Sequence, residues 1–126
     1  MKPRQNRKGR LQVEFENVAA VENPIKNILQ ELREALEALY GPRLKRLLLY
    51  GSHARGDATD DSDIDVMVVL EGRVRPGEEI RRMGWIRTRL NLKYEHLLSL
   101  LPLSEDDFQK EDMPLLDDVR QEGIIV

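Results

Sequence analysis

A chain of 126 residues, 40% of them apolar, is long enough for one packed domain and too short for separate catalytic and substrate-reading domains. It has no cysteine, which excludes a disulfide framework, thiolate catalysis and the usual zinc sites. The net charge of −3 hides an asymmetry: residues 1–10 carry Lys2, Arg4, Arg7, Lys8 and Arg10 and no acid, so that +5 sits there and −8 on the remainder. A body that acidic is a poor binder of nucleic acid. Residues 1–10 therefore read as a basic, disordered tail, the one part open to contact with RNA or an acidic partner, and residues 11–126 as a single domain. No apolar run approaches the roughly 18 residues of a membrane span and no signal-peptide pattern is present, so a cytoplasmic protein away from the membrane is expected.

Along the chain, residues 11–15 alternate apolar and polar, which predicts a short edge strand. Asn23-Pro24 opens a helix, an N-cap candidate followed by proline at the first helical position. Ile25, Ile28, Leu29, Leu32, Leu36 and Leu39 form one stripe at helical spacing, and Gly41-Pro42 stops it. Residues 44–50 read as a strand, residues 53–56 as a short helix, and residues 64–70 as a second strand. A helix is predicted over residues 76–91. Ile80, Met83, Ile86 and Leu90 share one of its sides, and Trp85 lies with Arg81, Arg82 and Arg89 on the other, either as a protein-binding surface or folded over its neighbours. Residues 92–103 read as a third strand with Glu95 its single carboxylate, a charge that needs a partner if buried. His96, in the same run, reads as a packed or partly exposed histidine rather than a catalytic base. Ser104 and Asp107 resemble a capping box. A last helix begins at Met113-Pro114 and ends at Gly123, and residues 124–126 form an edge strand or dock on a partner.

The chemistry is concentrated in residues 47–70, LLLYGSHARGDATDDSDIDVMVVL. Residues i and i+2 of a strand point to one face, so Asp63 and Asp65 present two carboxylates side by side at the mouth of the second strand. Like charges at that distance repel unless a cation lies between them, and Mg²⁺ is the hard ion that takes carboxylates together with substrate phosphates. At the other end of the insert Gly51 lets the backbone approach a ligand, Ser52 offers a hydroxyl and an amide, and the helix that follows directs amides at an anion. A phosphate seat and a metal seat on adjacent strands are the layout of a metal-dependent enzyme acting on a nucleotide. A P-loop is excluded because Asp57 stands where lysine is required, and an EF-hand because Ser62 or Val66 stands at its glycine position. An Asp-rich surface turn does not explain why Asp65 lies inside an apolar run.

Gly51-Ser52, ten intervening residues and Asp63-x-Asp65 resemble the signature of the polymerase-β-like nucleotidyltransferase superfamily. The fuller GSHARGDA…SDIDVMVV, and the ending PLLDDVRQEGIIV, are similar to its smallest members, the minimal nucleotidyltransferases. The resemblance implies an α/β (α+β) fold with a small mixed β-sheet flanked by helices. It also implies transfer of AMP from ATP to a hydroxyl, with Asp63 and Asp65 bridging two Mg²⁺ ions and Gly51 and Ser52 holding the triphosphate. Arg55 then either neutralises the leaving pyrophosphate or forms a helix-surface salt bridge. The family carries a third acid on a strand beside the pair, for which Glu95 is the candidate metal ligand and catalytic residue. Minimal nucleotidyltransferases frequently act beside a HEPN-domain ribonuclease toxin, as its antitoxin, so the resemblance implies such a partner, with a tyrosine hydroxyl as acceptor. Two rivals stay open: transfer to a small hydroxylated molecule, and an antitoxin that neutralises by binding alone.

Overall fold

The computed structural model describes residues 4–5, 11–12, 23–110 and 113–126. Strand β1 (Arg4–Gln5) pairs antiparallel with β2 (Leu11–Gln12), with Arg4 opposite Gln12 and Gln5 opposite Leu11. The edge strand expected over residues 11–15 is thus met at its first two residues. The rest of it, and most of the basic stretch before it, lie outside the described residues.

Helix α1 (Asn23–Tyr40) buries Ile25, Ile28, Leu29, Leu32 and Leu36, as the stripe predicts. Leu39 departs from it at 40% exposed, and Tyr40 takes the inner place because it lies four residues after Leu36, one turn on along the same face. A 3₁₀ turn (Gly41–Arg43) with Gly41 at φ 55° delivers the chain to β3 (Leu44–Tyr50). Then come the single-turn helix α2 (Ser52–Arg55), β4 (Ile64–Leu70), α3 (Pro76–Tyr94), β5 (Leu98–Ser104), α4 (Glu105–Gln109), α5 (Pro114–Glu122) and β6 (Ile124–Ile125).

The main sheet has four strands in the order β5-β4-β3-β6. β3 is antiparallel to both β4 and β6, whereas β4 and β5 run parallel and are joined through α3, the crossover that parallel strands require. On one face α1 and α3 pack Leu32, Leu36, Met83, Ile86 and Leu90 against Leu47, Leu49, Ile64, Val66, Val68 and Leu70. On the other, α4 and α5 bring Phe108, Leu116 and Val119 onto Leu48, Met67 and Val69. Covered on both faces, β4 is an unbroken apolar run from Val66 to Leu70 rather than an alternating one.

The third strand corrects the sequence reading. Residues 92–94 continue α3, where Lys93 pairs with Glu31 of α1, and the helix ends at Glu95 in the left-handed region with φ 57°. A run of leucines does not separate the end of a helix from the start of a strand, and tertiary contact with α1 decides it. β5 begins only at Leu98. As an edge strand it is blunted: the Leu98 N–H donates to Asn91 Oδ1 at 2.9 Å, Arg87 Nε donates to the Leu98 carbonyl at 2.8 Å, and Pro102 has no N–H to offer. Ser104 caps α4 by accepting from the Asp107 N–H at 3.1 Å, and Val126 N donates to the Leu47 carbonyl at 3.0 Å, extending the β6 edge.

Candidate active site

The site lies at the end of the sheet where β3 leaves and β4 enters. Tyr50, Asp65 and Ser99 face one another across β3, β4 and β5. They form one row on the face that α4 and α5 cover only further along. Asp65 is half-buried and Asp63, two residues earlier on the same side, is exposed. Burial pushes the Asp65 carboxyl above its ordinary range, and the Asp63 charge adds to the effect, only partly offset by His53 and Arg55. Tyr50 is likewise pushed up, first by burial and then by the Asp65 charge. Among the described residues, no cation is ion-paired to either Asp63 or Asp65.

Gly51 is placed with φ 75° and ψ −155°, a conformation open in practice to glycine alone. A Cβ there would come 2.4 Å from Asp65 Oδ2. The phosphate-seat glycine and the buried carboxylate are therefore one packed unit, and any side chain at position 51 would close the space over the carboxylate. The Gly51 carbonyl accepts from the N–H groups of Ala54 and Arg55 at 3.1 and 3.0 Å and so begins α2, with Ser52 at its first position. His53 lies within 3.3 Å of the Ser62 carbonyl, and its ring meets His96 edge-on at 6.5 Å between centroids. The insert between the two strands is thus closed back onto its own start. The Ile64 N–H donates to the Leu97 carbonyl at 2.8 Å and ties the α3–β5 connection to the carboxylate pair.

Of the expected site residues, Gly51 packs against Asp65, with Ser52 next to Gly51 in the chain and Asp63 two residues before Asp65. Glu95 is not carried on the strand expected to hold it. It is exposed at the C-terminus of α3, outside the strand that was to carry it, and among the described residues no three acidic or histidine side chains form a metal-holding group. The residue beside Asp65 on β5 is Ser99. Arg55 is held in a surface salt-bridge pair, its Nε 3.3 Å from Asp57 and its NH1 3.4 Å from Glu122 of α5. The neighbours sequence reasoning missed, Tyr50 and Ser99, become visible only through strand register.

Against known proteins, the chain matches the nucleotidyltransferase domain family over residues 29–122. The chain belongs to that family, as a minimal nucleotidyltransferase. Two similar proteins of Methanocaldococcus jannaschii both carry the name "Putative protein adenylyltransferase". One is 37% identical over 83 residues, covering 66% of this nucleotidyltransferase and 77% of the relative. The other is 32% identical over 72 residues, covering 57% and 72%. Among solved structures, a mutant of the toxin-antitoxin MntA-HpeT superposes with a TM-score of 0.55 at 18% identity, covering 82% of this chain and 72% of that one. A toxin-antitoxin crystallised with AMP-PNP superposes with a TM-score of 0.55 at 19% identity, covering 82% and 72%. At such identities the likeness establishes the fold, a mixed sheet flanked by helices. No helix among the described residues is long and apolar enough to cross a membrane.

Proposed function

We propose that this enzyme transfers AMP from ATP to a side-chain hydroxyl of a partner protein, a HEPN-domain toxin that it neutralises as antitoxin, with residues 11–126 as the catalytic domain. The observation that carries the reading is the packed unit of Gly51 and Asp65, with Asp63 beside it and, among the described residues, no cation ion-paired to either acid. It is supported by the adenylyltransferase names of the archaeal relatives and by neighbours that are toxin-antitoxin assemblies, one of them holding an ATP analogue.

The donor set fits Mg²⁺. Two hard carboxylates stand together, and the more buried of them holds its proton more tightly than usual because of its burial and then of the Asp63 charge. Asp63 and Asp65 would hold the ion or ion pair, which when bound supplies charge neutralisation for the phosphates. The backbone at Gly51 and the start of α2 orient the triphosphate. Its negative charge is accepted there by amides that the short helix leaves without partners. Arg55, on the same turn, adds positive potential while staying paired with Asp57 and Glu122. With only two acids together, positioning and electrostatics carry the rate.

The test is label transfer from α-labelled ATP with Mg²⁺ into lysate of the native host, with the Asp63→Asn, Asp65→Asn double variant as control. The expected result is one labelled polypeptide, reduced at least about 100-fold in the double variant. Label in a small molecule instead, or a toxin still neutralised by the double variant, would overturn the reading.

A further inference from the structure

Opposite its buried stripe, α3 sets Arg81, Trp85, Arg89 and Leu92 on one outer face, at spacings of four, four and three residues. Trp85, the single tryptophan of the chain, is 69% exposed and Leu92 77%. Large apolar side chains left in water beside arginines have the composition of a contact surface. α3 carries five basic side chains against two acidic ones. Among the described residues Arg81 and Arg89 have no ion-pair partner, and Arg89 lies over the Trp85 ring. The other face of the sheet has the opposite charge. α4 holds three acids and no base, and α5 three acids and one base. Asp107 and Asp117 are paired locally, with Lys110 and Arg120, but Asp106 and Asp118 are exposed and unpaired among the described residues. Met113, which opens α5, is 41% exposed beside them in the chain. Because α1 and α3 cover one face of the sheet and α4 and α5 the other, the basic and acidic surfaces look away from each other and cannot meet within one molecule.

We infer that the outer face of α3 docks on the α4–α5 face of a second copy of this chain. Charge complementarity argues for this occupant: the chain itself supplies both an unpaired basic surface and an unpaired acidic one. Arg81 and Arg89 of one copy then answer Asp106 and Asp118 of the next, while Trp85 and Leu92 set apolar surface against Met113. Symmetric pairing is disfavoured on either side, since α3 on α3 would bring arginines together and α5 on α5 would bring aspartates together. Nucleic acid would use the basic face alone and leave Leu92 wet. A contact between two different faces is heterologous: each copy that uses one face keeps the other free, so association extends with concentration. None of these residues belongs to the carboxylate site, and the inference stands apart from nucleotidyl transfer.

The experiment is sedimentation velocity of the full chain at concentrations up to about 1 mM, in low salt and in about 0.5 M salt. Tryptophan emission is recorded in parallel, because Trp85 is the sole source of it. The wild type is expected to gain average mass with concentration as its emission moves to the blue, and to return to monomer in high salt. One variant, Arg81→Ala with Trp85→Ala, removes the α3 face, and a second, Asp106→Asn with Asp118→Asn, removes the acidic face. All four side chains are exposed, so both variants should melt close to wild type. Each alone should associate at least about tenfold more weakly than wild type. Mixed, the two should form a one-to-one dimer, since each keeps the face the other lacks, and the Trp85 emission of the second variant should move to the blue. A wild type that stays monomeric throughout, association without a change in emission, or a mixture no larger than its parts overturns the inference. So does association lost in the α3 variant alone, which would mean symmetric pairing. A monomer whose Trp85 emission moves only when an RNA oligonucleotide is added would assign the face to nucleic acid and likewise overturn it.

Discussion

Asp65 carries opposing demands of stability and chemistry. Its carboxyl is raised first by burial and then by Asp63, so the folded state binds its proton more tightly than the unfolded chain does. By linkage, its contribution to stability is full below the ordinary aspartate pKa of about 3.9 and is lost as pH rises through the raised folded value. At neutral pH the ionised group therefore weighs against the apo fold. Asp65→Asn, which cannot ionise, should raise the melting temperature at pH 7 and differ less from wild type near pH 3, while transfer falls at least about 100-fold. Thermal melts across that range with and without Mg²⁺ check the sign. Mg²⁺ should stabilise the wild type and leave the variant nearly unmoved, and a variant less stable than wild type at pH 7 would refute the account.

At the scale of elements, α3 is where local pattern and tertiary context part. Its core stripe of Met83, Ile86 and Leu90 is legible from spacing, whereas Trp85, for which the sequence left two readings open, is 69% exposed with Arg89 5.2 Å from its ring centre. Ile80, on the same predicted side as the stripe, is instead 50% exposed, beside the cleft between α3 and β5. Glu95 pays for the sharp exit from the helix with a left-handed backbone, which costs a residue with a Cβ about 1–2 kcal/mol. Glu95→Gly should therefore stabilise the protein by about 0.5–1 kcal/mol in urea titration. Transfer should stay within about twofold of wild type, since this carboxylate is not gathered with Asp63 and Asp65. A large loss of transfer would restore it to the site.

Across the whole molecule, α1 and α3 are joined by a buried polar contact at the pole of the sheet opposite the active site. The Tyr40 hydroxyl donates to Glu79 Oε1 at 2.8 Å, and Glu79, 3% exposed, also meets Arg82 at 3.2 Å and Arg43 at 3.7 Å. Burial, with the hydrogen bond and charge of Glu79, holds the Tyr40 hydroxyl well above its ordinary pKa, so it remains a donor. Tyr40→Phe removes one of the groups satisfying a buried carboxylate and should cost about 1–2 kcal/mol by denaturant titration, leaving ATP binding unchanged. An arginine-lined cleft of about 480 Å³ surrounds this cluster, remote from the chemistry, and its side chains Arg43, Arg75 and Arg82 are already paired with Glu78 and Glu79. The sheet thus has one pole built on ion pairs and an opposite pole where, among the described residues, Asp63 and Asp65 have none.

What the sequence by itself determined were features written within about one turn or one strand of themselves. The period-3.6 stripe of α1, the two apolar runs of β3 and β4, the Ser104 cap and the Gly51-Ser52…Asp63-x-Asp65 spacing are of this kind, because side-chain direction follows from local backbone geometry. Only the tertiary structure decided which residue stands beside Asp65, whether Leu39 or Tyr40 turns inward, where the leucine-rich run from position 92 changes from helix to strand, and that a cleft walled in part by Asp63 opens between α3 and β5. Each of those depends on the register or packing of elements distant in sequence. Interstrand register and helix contact energies, rather than local propensity, set them.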